Sequence, residues 1–287
     1  MSEEASGGGG GFLKWFLGFI VFIVLTGLTQ IGGVVYVVSA LLISWLLGSR
    51  DWNFLVRWIA HLVGFACIYV AVTVAALPPL AAEFGRHPLP CLPSARRPYG
   101  AQHPIYCLLN RHYATPSAHR MLAALTTAMN KRFPGTTVLY LDAGFPFLDG
   151  FPMLPHLLHD DGRSIDLAFF YTNRRGVYQR GRTRSPIGYW AFERPRAGDP
   201  RPCLQEGGWG LRWNLGFLQR YWRPYTLDQK RTAAMVEWLV TDGPKLGVER
   251  LYLEPHLINR FGVASPLLKF QGCRAERHDD HIQVRLR

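Results

Sequence analysis

His278-Asp279-Asp280-His281-Ile282-Gln283-Val284-Arg285, close to the end of this 287-residue chain, decides how the rest is read. From His281 to Leu286 polar and apolar residues alternate, the signature of a strand with one buried face, so His281, Gln283 and Arg285 share the other. A second cluster of the same composition lies far upstream: His159-Asp160-Asp161-Gly162-Arg163-Ser164-Ile165-Asp166. Gly162 makes a turn and Ser164 opens a strand, so His159 before the turn and Asp166 on the strand can converge. Either cluster alone reads as a solvated bend. Two of them, each closed by a strand, are expected to meet on one sheet.

Between the clusters the pattern is mixed. Thr115-Pro116 supplies an N-cap and a proline in the first turn of an amphipathic helix running to about Arg132. Thr136–Leu141, Ser164–Tyr171, Arg250–Glu254 and His281–Leu286 read as strands, and Thr226 as the start of a second helix. Tyr171 to Pro202, rich in Arg and Gly, reads as a surface excursion. This order implies an α+β domain with an antiparallel sheet over 115–287.

The N-terminal third is different. After a polar, Gly-rich tail (1–11), the runs Phe12–Leu28, Val34–Leu47 and Phe54–Ala82 are nearly free of charge. A bilayer-crossing helix needs about 20 apolar residues. The second run reaches that length only from near Ile31, leaving Thr29–Gly33 as a tight turn. Residues 12–82 therefore read as a membrane anchor of three spans, or two if the first pair is a re-entrant hairpin. The third run closes at Pro78-Pro79. The first run is too long for a cleaved signal and lacks a small-x-small site before a polar start. His61 falls inside the third run and Cys67 beside it. Lys14, Arg50 and Arg57 mark the cytoplasmic side, which sends the C-terminal domain outside, as expected for a bacterial inner-membrane protein with a periplasmic domain. Residues 83–114, rich in Pro and Arg, read as a connector.

Net charge is +12, from 32 basic and 20 acidic residues. Lys14, Arg50, Arg57 and Glu3, Glu4, Asp51 precede residue 81, so 29 basic and 17 acidic residues follow it. Such a domain attracts anionic polymers. The expected location and the lack of a basic helix or an aromatic RNA-binding motif stand against nucleic acid, and the dominance of Arg over Lys reads as compositional. Outside the cytoplasm the four cysteines Cys91, Cys107, Cys203 and Cys273 allow two disulfides in three pairings, with Cys91–Cys107 and Cys203–Cys273 favoured. No G-x-S-x-G, P-loop, G-x-G-x-x-G or H-E-x-x-H motif is present.

H-x-x-G-x-x-x-D followed near the chain's end by H-D-D-H-x-x-V-R resembles the LAS group of zinc peptidases, which includes D-alanyl-D-alanine peptidases and the penicillin-insensitive murein endopeptidase. The resemblance rests on about 25 residues. It implies a LAS/hedgehog-like domain, one zinc ion, a cell-wall peptidoglycan substrate, and His159 and Asp166 as metal ligands. The group's third ligand is the last His of a closing H-x-x-H-x-H run, a position held here by Gln283. Its earlier histidines handle protons, which gives His278 and His281 that role. An amide oxygen is a poorer zinc ligand than imidazole, so three outcomes stay open: His281 replaces it, Gln283 binds weakly, or no metal binds. Asp160, Asp161, Asp279 and Asp280 would orient imidazoles from behind, with Glu254 and His256 at the rim. Trp209, Trp213, Trp222 and Arg212 are candidates for a groove that holds a sugar–peptide polymer. The competing reading is a non-catalytic envelope-binding protein of the same fold.

Overall fold

The computed structural model describes residues 8–287 except 155, 157–158, 204–211 and 214. Trp209 lies outside the described residues. The chain forms two compact units, Met1–Leu80 and Ala81–Arg287.

The first unit is helical. Helix α1 (Gly8–Thr29) begins within the stretch read as a tail, because propagating a helix already started by the apolar run costs little per residue. A turn at Gln30, with φ of 67°, reverses the chain into α2 (Gly32–Leu47), and the Thr29 hydroxyl accepts the Gly32 N–H. The two helices approach closely at Gly33, where a Cβ would meet the Phe22 carbonyl at 2.6 Å. Helix α3 (Phe54–Ala71), capped by Asn53, runs through a π-helical turn (Val72–Ala76) into α4 (Leu77–Glu83). Pro78-Pro79 therefore does not close this run. The wider turn ahead of the prolines accommodates their missing N–H groups and ring bulk. Two stretches are long and apolar enough to cross a membrane, Gly11–Thr29 and Phe54–Glu83. The 16 residues of α2 span only about 24 Å at ~1.5 Å per residue.

The second unit is α+β. The segment 83–114 is built into it rather than connecting to it. Strand β1 (His87–Pro88) pairs with β3 (Tyr113–Ala114), while β2 (Tyr99–Ala101) joins the main sheet ahead of the short helix α5 (Ile105–Leu108). Disulfides join Cys91 to Cys107 and Cys203 to Cys273. Helix α6 (Pro116–Arg132) buries Ala118, Met121, Leu122, Leu125 and Met129, one stripe at helical spacing. Then come β4 (Val138–Tyr140), β5 (Ser164–Ala168), β6 (Tyr171–Thr172), β7 (Thr226–Leu227), α7 (Gln229–Thr241), β8 (Val248–Tyr252), α8 (Pro255–Phe261), β9 (Leu268–Lys269) and β10 (His281–Leu286). Thr226 lies in a strand pair with Tyr171–Thr172. The helix after it starts later because Asp228 caps it, accepting the Arg231 N–H at 3.1 Å.

The main sheet runs β2-β4-β5-β10-β8-β9. Its centre is antiparallel, while β2–β4 and β8–β9 at the two edges are parallel, so the sheet is mixed. Strand alternation divides the central pair. Ile165, Leu167, Ile282, Val284 and Leu286 join the core with α6 and α7. On the other face Asp166 stands opposite Gln283, Ser164 opposite Arg285, and Ala168 opposite His281.

Candidate metal centre

Asp166 is wholly buried in the middle of that second face. Its Oδ1 lies 3.0 Å from His159 Nε2. The chain reaches His159 through a close crossing: a Cβ on Gly144 would lie 2.8 Å from Gly162 Cα, and Gly162 itself has φ of 69°. That crossing sets His159 Nδ1 2.6 Å from the Ala143 carbonyl. A carbonyl only accepts, so Nδ1 donates to it, and Nε2 is the ring nitrogen left facing Asp166.

His156 occupies the place beside Asp166 that Gln283 was expected to share. Its Nδ1 is 2.9 Å from Asp166 Oδ2 and 3.3 Å from Asp142 Oδ2, in hydrogen-bond geometry with neither. Donor atoms of His156, His159 and Asp166 all fall within 4.8 Å of one another. Tetrahedral ligands about 2.0–2.1 Å from a zinc ion stand ~3.3 Å apart, so this group fits one ion with small adjustments. Gln283, the residue opposite Asp166 on β10, is engaged elsewhere. Its Oε1 lies 3.0 Å from His278 Nε2, and this pairing turns it away from the carboxylate.

The surroundings are charged and buried. Arg111 donates to Asp142 through Nε (2.6 Å) and Nη2 (2.8 Å). Burial alone would raise the Asp142 carboxyl, but Arg111, and after it His156, bring it down to about 2. Burial opposes a charge on His156, yet Asp142 and Asp166 beside it push its pKa up to about 10. Asp166 is held well below the carboxylate range, because His159 and His281, then His156, outweigh its burial. The Tyr189 hydroxyl donates to Asp166 Oδ2 at 2.5 Å and accepts the Asp142 N–H at 3.3 Å.

His281 backs onto Asp280, with Nδ1 2.5 Å from Oδ1. The other Asp280 oxygen takes the N–H of Trp190, a residue at φ of 66°. His281 Nε2 is buried, 3.7 Å from Asp166 Oδ2, and has no hydrogen-bond partner among the described residues. Burial disfavours its charged form, but Asp166 and Asp280 raise its pKa above the usual histidine value. His278 is displaced the other way, well below it, by burial and by the neighbouring His281.

Of the carboxylates expected behind the imidazoles, Asp280 alone is in contact with one. Asp161 clamps Arg285 through two bonds of 2.7 Å, and Asp160 offers its backbone carbonyl to Arg86 and Gly150. Asp279 pairs with Arg277. Glu254, at the N-cap of α8, holds Arg212 in a fork of 2.9 and 2.8 Å, and His256 bonds the Glu193 carbonyl at 2.6 Å. These three pairings fix the loops around the site, and none reaches the metal group. Trp222 donates to the Trp190 carbonyl, whereas Trp213 stays half exposed beside a small cleft of about 20 Å³, room for little more than one water-sized group, that opens on His156 and His281.

His156, Asp142, Arg111 and Tyr189 were not singled out by the sequence. His156 had a visible signal, the H-x-x-H spacing to His159. Tyr189 had none, and its buried place corrects the reading of 171–202 as pure surface. No protein-family model, curated protein or solved structure matches this chain.

Proposed function

We propose that the second unit is a zinc-dependent peptidase of LAS type, tethered to the bacterial inner membrane by the first and acting in the periplasm on peptide crosslinks of the cell wall. One observation carries this reading. Three donors of the right chemistry converge in a buried pocket, where His156 Nδ1 rests on ion pairs with Asp166 and Asp142 out of hydrogen-bond alignment and His281 Nε2 has no hydrogen-bond partner among the described residues. Buried polar atoms without partners are costly, and a bound cation with its water would satisfy them.

His156, His159 and Asp166 would hold the ion and leave a fourth position open. Bound there, zinc supplies a Lewis acid and brings the pKa of a water toward about 7. Arg111 and Asp142 set the position of His156, and the Ala143 carbonyl sets the tautomer of His159. His281, braced by Asp280, accepts a proton at Nε2 and returns it to the leaving amine. His278, kept neutral and tied to Gln283, lines the same face. Both disulfides fit an oxidising compartment. So does the charge on the first unit: α1 and α2 return the chain to the side of Lys14 whether or not they cross fully, and α3 then carries it over.

The test is zinc stoichiometry of the full-length protein in detergent, followed by hydrolysis of crosslinked cell-wall peptides. One zinc per chain, absent from His159→Ala and Asp166→Asn, is expected. A second reading, a metal-free binding protein, is favoured by the fact that each Asp166 oxygen already has a partner within 3.0 Å. A folded protein without zinc, its melting unchanged by chelator, would select it.

A further inference from the structure

The cleft that opens on His156 and His281 has a wall without a counterpart. Glu276 lines it, is only 7% exposed, and its Oε1 is fully buried without a hydrogen-bond partner among the described residues. A buried carboxylate oxygen accepts only, so whatever completes it must donate. The adjacent cation does not do so: Arg277 is forked onto Asp279 and lies over the Phe192 ring at 3.8 Å. Asp280, also in the lining, is committed to His281 and the Trp190 N–H. Four aromatic side chains, Tyr189, Trp190, Phe192 and Trp213, line the same cleft. Aromatic faces favour a cation over a neutral donor.

We propose that Glu276 forms a subsite for a primary ammonium group of the substrate, next to the reacting centre. The proposal rests on the cleft being a peptide site, and it deepens that reading: the peptide would carry a free amine on a side chain or at its terminus close to the cleaved bond. A form of the same peptide acylated on that amine would be discriminated against. Glu276 takes no part in the metal group, so its contribution should appear in binding without metal.

The probes are two blocked tripeptides, acetyl-Ala-Lys-Ala-amide and the same peptide acetylated on the lysine Nε. Calorimetric titration of the full chain in detergent, with chelator present to prevent turnover, gives both affinities. The free amine is expected to bind about tenfold tighter or more, as a close charge pair in a desolvated cleft should. Glu276→Gln should bring the two within about twofold, and Glu276→Asp, which keeps the charge, should retain the preference. His159→Ala should retain it too. Equal affinities in the wild type, no measurable binding of either peptide, or an undiminished preference in Glu276→Gln would overturn the subsite. An amine preference in a wild-type protein that holds no zinc would support the subsite and count against the peptidase.

Discussion

Gln283 and Asp166 stand directly opposite each other on β10 and β5, and their side chains bond to other partners rather than to each other. The Gln283 amide oxygen is taken by His278, and its Nε2 has no partner among the described residues. The carboxylate is served from the other side by His156 and His159. Register with Asp166 therefore does not by itself bring a side chain into hydrogen-bond contact with its carboxylate.

That arrangement predicts an order of effects on metal content. His156→Ala should lose zinc as completely as His159→Ala and Asp166→Asn, while Gln283→Ala should keep close to one ion per chain. Elemental analysis of the four purified variants measures it. Zinc retained by His156→Ala and lost from Gln283→Ala would restore the family's ligand set in place of this one.

The pH dependence follows from the pKa shifts. His156 is raised from 6.5 to about 10, so its ion pairs stabilise the metal-free fold fully below pH 6.5 and are lost as pH rises toward 10. Asp142 is lowered from 3.8 to about 2, so its contribution is present above pH 3.8 and is lost as pH falls through 2. Chelated protein should therefore melt highest between about pH 4 and 6.5. Zinc must displace the His156 proton, so its affinity should climb about tenfold per pH unit from 7 to 9. Melting curves with zinc and with chelator across pH 4–9 should diverge upward; parallel curves would show that His156 does not ligate.

The central strands were legible because alternation at His281–Leu286 and Ser164–Ala168 is a local property of the chain. The helix at Pro116 was legible for the same reason, since the proline of its first turn and its apolar stripe are written in consecutive residues, although Thr115 before it makes no side-chain cap bond. The site was legible only where its residues sit on those strands or next to the turn at Gly162. Arg111, Asp142 and Tyr189 come from segments with no periodicity, and only the chain crossing at Gly144 and the packing of the 171–202 segment over the sheet bring them in. Parallel edge strands as short as Tyr99–Ala101 carry no pattern at all, which is why 83–114 looked like a connector.

Arg111→Ala should be among the most destabilising single changes in the second unit. It leaves Asp142 charged, fully buried and without its two-pronged partner, a loss of about 3–5 kcal/mol for a broken buried pair. Urea unfolding of the chelated protein reads this directly. A loss under about 1 kcal/mol would mean that His156 and Tyr189 alone hold the carboxylate.

Asp280→Asn separates proton transfer from metal binding. The amide can still accept the Trp190 N–H, but it no longer stabilises a positive charge on His281. The hydrolysis rate should fall about 100-fold or more with zinc content unchanged. Joint loss of zinc and rate would instead make His281 a ligand.

The membrane topology is testable without any activity. Lys14 precedes the first apolar run, and Arg50 and Arg57 flank the start of α3. Cytoplasmic retention of basic residues places all three on one side. α1 is long enough to cross, while α2, at 16 residues, is short, so the pair either crosses twice or dips in and returns. On either path Gly48 is expected on the side of Lys14, and the 30 residues from Phe54 to Glu83, long and apolar enough to span, are then expected to make one net crossing. A reporter enzyme that folds only outside the cytoplasm should be active when fused after Arg287 and silent when fused after Gly48. Activity at Gly48 and silence at Arg287 would invert the topology, put both disulfides in a reducing compartment, and remove the cell wall as a substrate.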